Sequence, residues 1–356
     1  MFSIEGLLTF CGLEERFHNY IVEKKIEKND KVIGDLFLRI FKTIAQKEVE
    51  DSLICDRLNW TKVEIKKIVG VKQKTKVFVV HNIVALEGGE QLVYPAVVIS
   101  KKRLFKPYVF LKASAVSHAN KIYPDHLKYH QICYSYGLSH KIYFDHNWTS
   151  YYFMRFASGG DLISYLDKSG PISYKEQLDL SEQLILLVKK LHDLEIAHRD
   201  IKPQNILVDY YQDGKPQLYL TDFGFATRDE KSKKRPGTPI YKPVEYITHH
   251  NFDTKKGDLF CVGLTIFSIC SNADFYFVLL KKIREERESG WDKISPDQLY
   301  LDFFRRYKDQ LIEESMVASP VCLKQIVKSL LDEFSQRRME LRCALEMIAF
   351  EQAQVC

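Results

Sequence analysis

One ordered pair of short motifs constrains this chain more than anything else in it. His198-Arg199-Asp200-Ile201-Lys202-Pro203-Gln204-Asn205 runs into Ile206-Leu207-Val208, and Asp222-Phe223-Gly224 begins seventeen positions past Asn205. A solvated loop of charged residues is the bland reading of either motif alone. It does not account for both in this order at this spacing.

The first motif is similar to the H-R-D-x-x-x-x-N catalytic loop of protein kinases, and the second to their D-F-G metal motif. Phosphoryl transfer needs positioning and charge neutralisation more than covalent help from the protein. The resemblance therefore implies that Asp200 orients the acceptor hydroxyl and takes its proton, while Lys202 offsets charge on the transferring group. It implies that Asn205 and Asp222 hold Mg²⁺ (or Mn²⁺) on the phosphates of ATP. Gly224 frees the backbone beside a metal ligand, and Phe223 is a packing residue.

The likeness continues through Gly237-Thr238-Pro239-Ile240-Tyr241-Lys242-Pro243-Val244-Glu245, which resembles the end of an activation segment. Glu245 falls where the family has its A-P-E glutamate. Asp258-Leu259-Phe260-Cys261-Val262-Gly263 resembles the D-x-W-x-x-G start of the family's buried central helix. Arg338 sits where the family has the arginine that pairs with that glutamate, so an internal Glu245–Arg338 ion pair is implied. Lys202 together with Thr238 is the Ser/Thr-type combination. Asp161, after Gly159-Gly160, takes the position where an acidic residue can bond the nucleotide ribose. The resemblance spans roughly residues 76–350 and implies a bilobal α+β fold, with a small β-rich N-lobe and a larger helical C-lobe.

The rest of the 356-residue chain fits such a fold. Hydrophobic residues make up 46% and charged residues 28%, enough apolar material for a full core. A net charge of +5 is too small to argue for nucleic acid. The eight cysteines show no C-x-x-C pair and no metal-ligand spacing, as in reduced cytosolic proteins. Neither a signal peptide nor an apolar run long enough for a membrane span is read, so a cytoplasmic protein is expected.

Residues 1–75 read as a helical extension, clearest from Asp35 to Glu50, where Phe37, Ile40, Phe41 and Ile44 recur at helical spacing. Strands are expected over Val77–Leu86 and Gln91–Ile99, joined by Glu87-Gly88-Gly89-Glu90, and over Tyr108–Lys112. A helix near Pro124–Tyr136 and strands over Lys141–Phe144 and Tyr151–Phe156 complete an N-lobe at 76–156. The C-lobe, 157–356, opens on Ser173 and Glu176, a capping box for a helix with Leu180, Leu184, Leu187 and Leu191 on one face.

The N-lobe departs from the family. Lys112 is identified as the strand lysine that reaches the nucleotide phosphates, with Phe110 in place of the small residue beside adenine. Gln131 falls where the partner glutamate belongs, and an amide offers no charge to the pair. Gly88 marks the phosphate loop in one placement and Gly70 in another. Glu87 and Glu90 would repel phosphate if turned inward. Lys112, Gly88, Met154, Phe156 and Asp161 make up the nucleotide site that the resemblance implies.

Between Gly224 and Gly237 lie Arg228, Lys231, Lys233, Lys234 and Arg235. Such a run is a solvated face or a seat for an anionic partner: an acidic or phosphorylated substrate, a phosphoinositide, or a phosphorylated Ser232 folded onto Arg199. The leading expectation is a kinase of Ser or Thr in proteins. A pseudokinase scaffold and an enzyme acting on a lipid, inositol phosphate or other small molecule stand beside it. An intact catalytic loop under a divergent N-lobe also resembles kinase-like proteins of intracellular pathogens, which would place the chain in a host cytosol.

Overall fold

The computed structural model describes residues 65–71, 76–81, 86–88, 91–100, 103–114, 124–140, 142–144, 151–154, 157, 159–210, 214–234, 237, 241–248, 251–273, 275–285 and 296–355. The expected helix at Asp35–Glu50 lies outside them. The chain divides into two compact units, one of residues 1–124 with 140–158 and one of residues 125–139 with 159–356.

Seven described strands form the sheet of the first unit: β1 (Ile65–Val71), β2 (Lys76–His81), β3 (Leu86–Gly88), β4 (Gln91–Ser100), β5 (Arg103–Ser114), β6 (Ile142–Phe144) and β7 (Tyr151–Met154). All pairings are antiparallel, in the order β1-β2-β4-β5-β7-β6, with β3 also on β4. The sheet begins eleven residues ahead of the expected Lys76 (76 against 65), because Ile65, Ile68, Val69 and Val71 supply a β-branched segment that pairs with β2.

A single strand over Val77–Leu86 was also expected, but the structure divides it in two. Ten-residue β4 takes β2 at Ala96–Ser100 and β3 at Gln91–Val93. The change of partner falls at Tyr94-Pro95, where proline has no N–H to give to a ladder. The β3–β4 hairpin closes on Gly88↔Gln91, tighter than the expected four-residue link.

The second unit carries nine described α-helices: α1 (Pro124–Ser135), α2 (Leu162–Ser169), α3 (Tyr174–Asp193), α4 (Glu245–Thr248), α5 (Thr254–Ser271), α6 (Phe275–Glu285), α7 (Pro296–Ser315), α8 (Val321–Leu330) and α9 (Leu341–Val355). Helix α1 thus groups with the helical unit, not with the sheet that precedes it in sequence. Ser173 caps α3 by accepting from Glu176 N, and Leu180, Leu184, Leu187 and Leu191 are buried.

Helix α5 is apolar and buried nearly all round, which makes it the centre of the core. It packs on α3 and α8, and an added Cβ on Gly263 would come within 2.9 Å of Leu330 Cβ. The hairpin β9 (Ile206–Tyr210) and β10 (Pro216–Leu220), with β8 (Gly160–Asp161) on the β9 edge, packs its β10 strand on α3, where Gln183 donates to Pro216 O and accepts from Leu218 N. Strand β11 (Lys231–Ser232) pairs with β12 (Phe252–Asp253).

Candidate active site

The loop from Ile196 to Asn205 links α3 to β9. Its backbone is clamped by one buried carboxylate. Asp258, in the first turns of α5 and fully buried, accepts from His198 N (2.7 Å) and Arg199 N (2.7 Å), and from the His192 ring Nε2 (3.0 Å). Arg199 has φ 67°, a left-handed conformation that costs a side-chain-bearing residue about 1–3 kcal/mol. Its neighbours in this network hold it there.

Past that strained residue the chain presents Asp200, 5% exposed. Its Oδ2 accepts from Asn205 Nδ2 at 2.8 Å and pairs with Lys202 Nζ at 3.0 Å. Asn205 Nδ2 also donates to the Asp200 carbonyl, 2.8 Å away. A 3-10 turn, Pro203–Asn205, makes this local: Pro203 fits its first position, and Asn205 N donates to Lys202 O at 2.9 Å. Asp200, Lys202 and Asn205 therefore form one cluster.

The second motif is joined to the first by backbone. Thr221 N donates to Asn205 O (3.0 Å), and the His198 ring Nε2 lies 3.0 Å from Thr221 O. Asp222 follows with φ 63°, again left-handed. Phe223 is fully buried between two histidines, His198 (ring centroids 5.0 Å) and His130 on α1 (5.3 Å, edge-on). The expected packing role of Phe223 holds, and its ring ties α1 to the loop.

Beyond Phe223 the segment is pinned by an Ala197–Thr227 bridge, with N···O distances of 2.9 and 3.0 Å. It returns at Gly237, φ 98°, whose missing Cβ would lie 2.8 Å from Arg199 O and 3.4 Å from Asp200 Oδ1. Only glycine fits this approach. Arg338 then grips Glu245 with both ends of its guanidinium, at 2.6 and 2.5 Å, and both side chains are almost wholly buried. Arg338 also donates from Nη1 to Lys256 O (2.7 Å) and from Nε to Asp332 O (3.0 Å).

Other residues singled out in the sequence are placed within their own units. Lys112 lies in β5, in register with Val93 and Tyr152, while Gly88 closes the β3–β4 hairpin and Met154 ends β7. Phe156, Thr238 and Arg235 lie outside the described residues. Asp161 caps α2, its Oδ1 accepting from Ser164 N at 2.8 Å. Gln131 is exposed, and the α1 residue that meets Phe223 is His130. Lys231, Lys233 and Lys234 are exposed, and the Ser232 hydroxyl bonds the Lys234 backbone.

Sequence reasoning missed His192, His130 and the closeness of Gly237. His192 carries a local signal, in the last turn of α3 six positions ahead of His198. His130 carries none, since its partner is 93 residues away (223 against 130). No described helix is long and apolar enough to cross a membrane.

The protein kinase domain family matches residues 111–350, about two-thirds of the chain. The match starts inside β5, so Gly88 and the earlier strands precede it, and it is shorter than the span from 76 expected from the motifs.

Curated relatives include the serine/threonine-protein kinase PrkC of Bacillus subtilis (strain 168), 32% identical over 33% of this chain and 18% of its own length. Two human proteins are each 36% identical over 36% of this chain. They are the putative serine/threonine-protein kinase PRKY (44% of its length) and the cAMP-dependent protein kinase catalytic subunit PRKX (34%). The chain spans less than half the length of these relatives. With the two motifs on one buried scaffold and the family match covering most of the sequence, the chain belongs to the protein kinase family, with its bilobal α+β fold.

Proposed function

We propose that this chain phosphorylates Ser or Thr hydroxyls of proteins, using ATP and Mg²⁺. The observation that carries the reading is the cluster around Asp200, a carboxylate held by Asn205 and Lys202 on a loop clamped by Asp258. Such preorganisation suits a group that must orient a hydroxyl and take its proton. The hydroxyl oxygen bonds the γ-phosphorus as its proton passes to Asp200, and the bond to the β-phosphate oxygen breaks, releasing ADP. Lys202, at 3.0 Å from Asp200, balances charge on the same side.

The donor set also suits the cation. Asn205 spends its amide nitrogen on Asp200, which leaves Oδ1 as its ligating end, and Asp222 adds a carboxylate. One amide and one carboxylate oxygen match Mg²⁺, which retains water and phosphate ligands. When bound, the cation neutralises phosphate charge. Nucleotide contacts are assigned to Lys112, Gly88, Met154, Phe156 and Asp161 on the family resemblance. We assign residues 1–75 to an extension whose last segment contributes β1.

The test is transfer of label from ATP to a generic protein substrate by the full chain, beside Asp200→Ala. Expected is transfer that falls by roughly 10²–10⁴-fold in the variant. Equal labelling by both proteins would overturn the assignment of Asp200. No transfer by either, with nucleotide binding intact, would assign the chain to binding alone. Labelling of a phosphoinositide but no protein would move the acceptor to small molecules.

A further inference from the structure

The lysines of residues 231–234 have no part in the chemistry assigned to Asp200, yet their backbone is tied down at successive points. Asp229 N donates to Thr227 Oγ1 at 3.1 Å, and Thr254 donates from Oγ1 to Asp229 O (2.7 Å) and from N to Glu230 O (2.9 Å). Lys231 and Ser232 then pair with β12. The Ser232 hydroxyl closes a turn by donating to Lys234 O (3.2 Å) and accepting from Lys234 N (3.1 Å). Ser232 is half-buried, and Lys231, Lys233 and Lys234 around it are exposed.

None of the three lysines forms an ion pair with a described residue. Other cations of the same unit are matched, as Lys189 is by Asp193 and Lys255 by Glu195. Asp253, opposite Lys231 in the β11–β12 ribbon, is spent on Lys256 N at the start of α5 (2.8 Å). A phosphate on Ser232 would remove the donor to Lys234 O and with it the turn that sets the row. The row is thus a fixed concentration of positive charge whose counter-ion must come from outside.

We propose that this row docks an acidic segment of another protein, whose carboxylates bond Lys231, Lys233 and Lys234. Two features select that partner over other polyanions. Residues 227–234 hold no apolar side chain that could enter a bilayer. Asp229 and Glu230, both exposed, stand directly ahead of the lysines, where the flat charge of a membrane or the continuous phosphates of a duplex would be pressed against them. A flexible acidic peptide engages the lysines and stays clear of the two carboxylates. Because the row is already fixed, little ordering of the site opposes binding. Docking of this kind needs no phosphoryl transfer and is measured without nucleotide.

The test is fluorescence polarisation of the full chain with a labelled peptide of alternating Glu and Asp, beside one of Gln and Asn of equal length. The acidic peptide is expected to bind on the order of ten-fold tighter at low salt, the scale of a few exposed ion pairs, and to lose that margin in high salt. Lys231→Glu, Lys233→Glu and Lys234→Glu together should abolish the margin, and Arg at all three positions should keep it. Lys128→Glu, Lys190→Glu and Arg284→Glu together reverse three other exposed cations, change net charge equally, and should leave most of it.

Equal binding of the two peptides by wild type, or equal losses in the two charge-reversed variants, would overturn the proposal. Phosphatidylserine vesicles or duplex DNA that displace the acidic peptide at a lower concentration of negative charge would overturn it as well. Carbodiimide coupling of the peptide to wild type, read by mass spectrometry, depends on no variant. Cross-links at Lys231, Lys233 or Lys234 uphold the site, and cross-links found only at other lysines reject it.

Discussion

The Asp200 loop depends on single backbone groups as much as on side chains. Arg199 keeps its left-handed conformation because Asp258 accepts from the backbone N–H of both His198 and Arg199, and Gly237 lies across the Arg199 carbonyl. Gly237→Ala would place a methyl carbon 2.8 Å from that oxygen, nearer than real Cβ atoms approach backbone, and at a φ that alanine avoids. Either Gly237 or the Asp200 loop must move. A shift of even about 1 Å at such a site costs on the order of 100-fold in rate.

Gly237→Ala is therefore expected to lose roughly that much kcat while the thermal midpoint changes by a few degrees at most. Unchanged kcat in peptide phosphorylation would show that the segment does not bear on Asp200. The sequence marks Gly237 as the start of a recognisable segment, but its approach to Arg199 is hidden there. A contact between positions 199 and 237 is set by the fold, not by local spacing.

Among the elements, the Glu245–Arg338 pair ties α4 to the turn ahead of α9. Arg338 also bonds the Lys256 carbonyl in α5 and lies over the Phe260 ring at 5.0 Å. Arg338→Ala leaves Glu245, 3% exposed, as a buried charge without its partner. The expected destabilisation is about 3–5 kcal/mol. Glu245→Gln with Arg338→Met should recover much of it, because no lone charge remains. Urea titration of the two variants beside wild type decides this: a single mutant within 1 kcal/mol of wild type, about the scale of an exposed pair, would mean that the pair is not closed to water.

This pair was legible beforehand because both residues sit in recognisable motifs, and so was α3, whose cap and apolar face are local signals. The strand-rich segment was read less well. Residues 65–71 were assigned to a helical extension, yet their pairing with β2 makes them a strand. The break between β2 and β3 depends on which stretch of β4 each one pairs with. Gln131 takes the glutamate position by the likeness of residues 130–140 to the family's regulatory helix and the loop after it; in the structure it is exposed, and its neighbour His130 meets Phe223.

For the whole molecule, burial of weak acids sets a limit on the alkaline side. Burial pushes the Cys133 and Cys270 thiols up from 9.0 to about 12, and it raises the Tyr165 and Tyr246 phenols as well. Glu176 adds to the shift of Tyr165 through its hydrogen bond and charge. In each case the folded protein holds its proton more tightly than the unfolded chain.

Unfolding therefore releases protons above pH 9, and the linkage relation makes stability fall with rising pH wherever the unfolded state binds fewer. The contribution of the two thiols is fully present below pH 9 and is lost as pH climbs towards about 12. Thermal melts between pH 8 and pH 11 should show a midpoint that is flat up to about pH 9 and then drops. Cys133→Ala with Cys270→Ala removes two of the raised groups, so its midpoint should fall less steeply over the same interval, whatever its absolute stability. Parallel slopes for variant and wild type would show that these thiols reach solvent in the folded protein, and that the core around α1 and α5 is looser than its packing indicates.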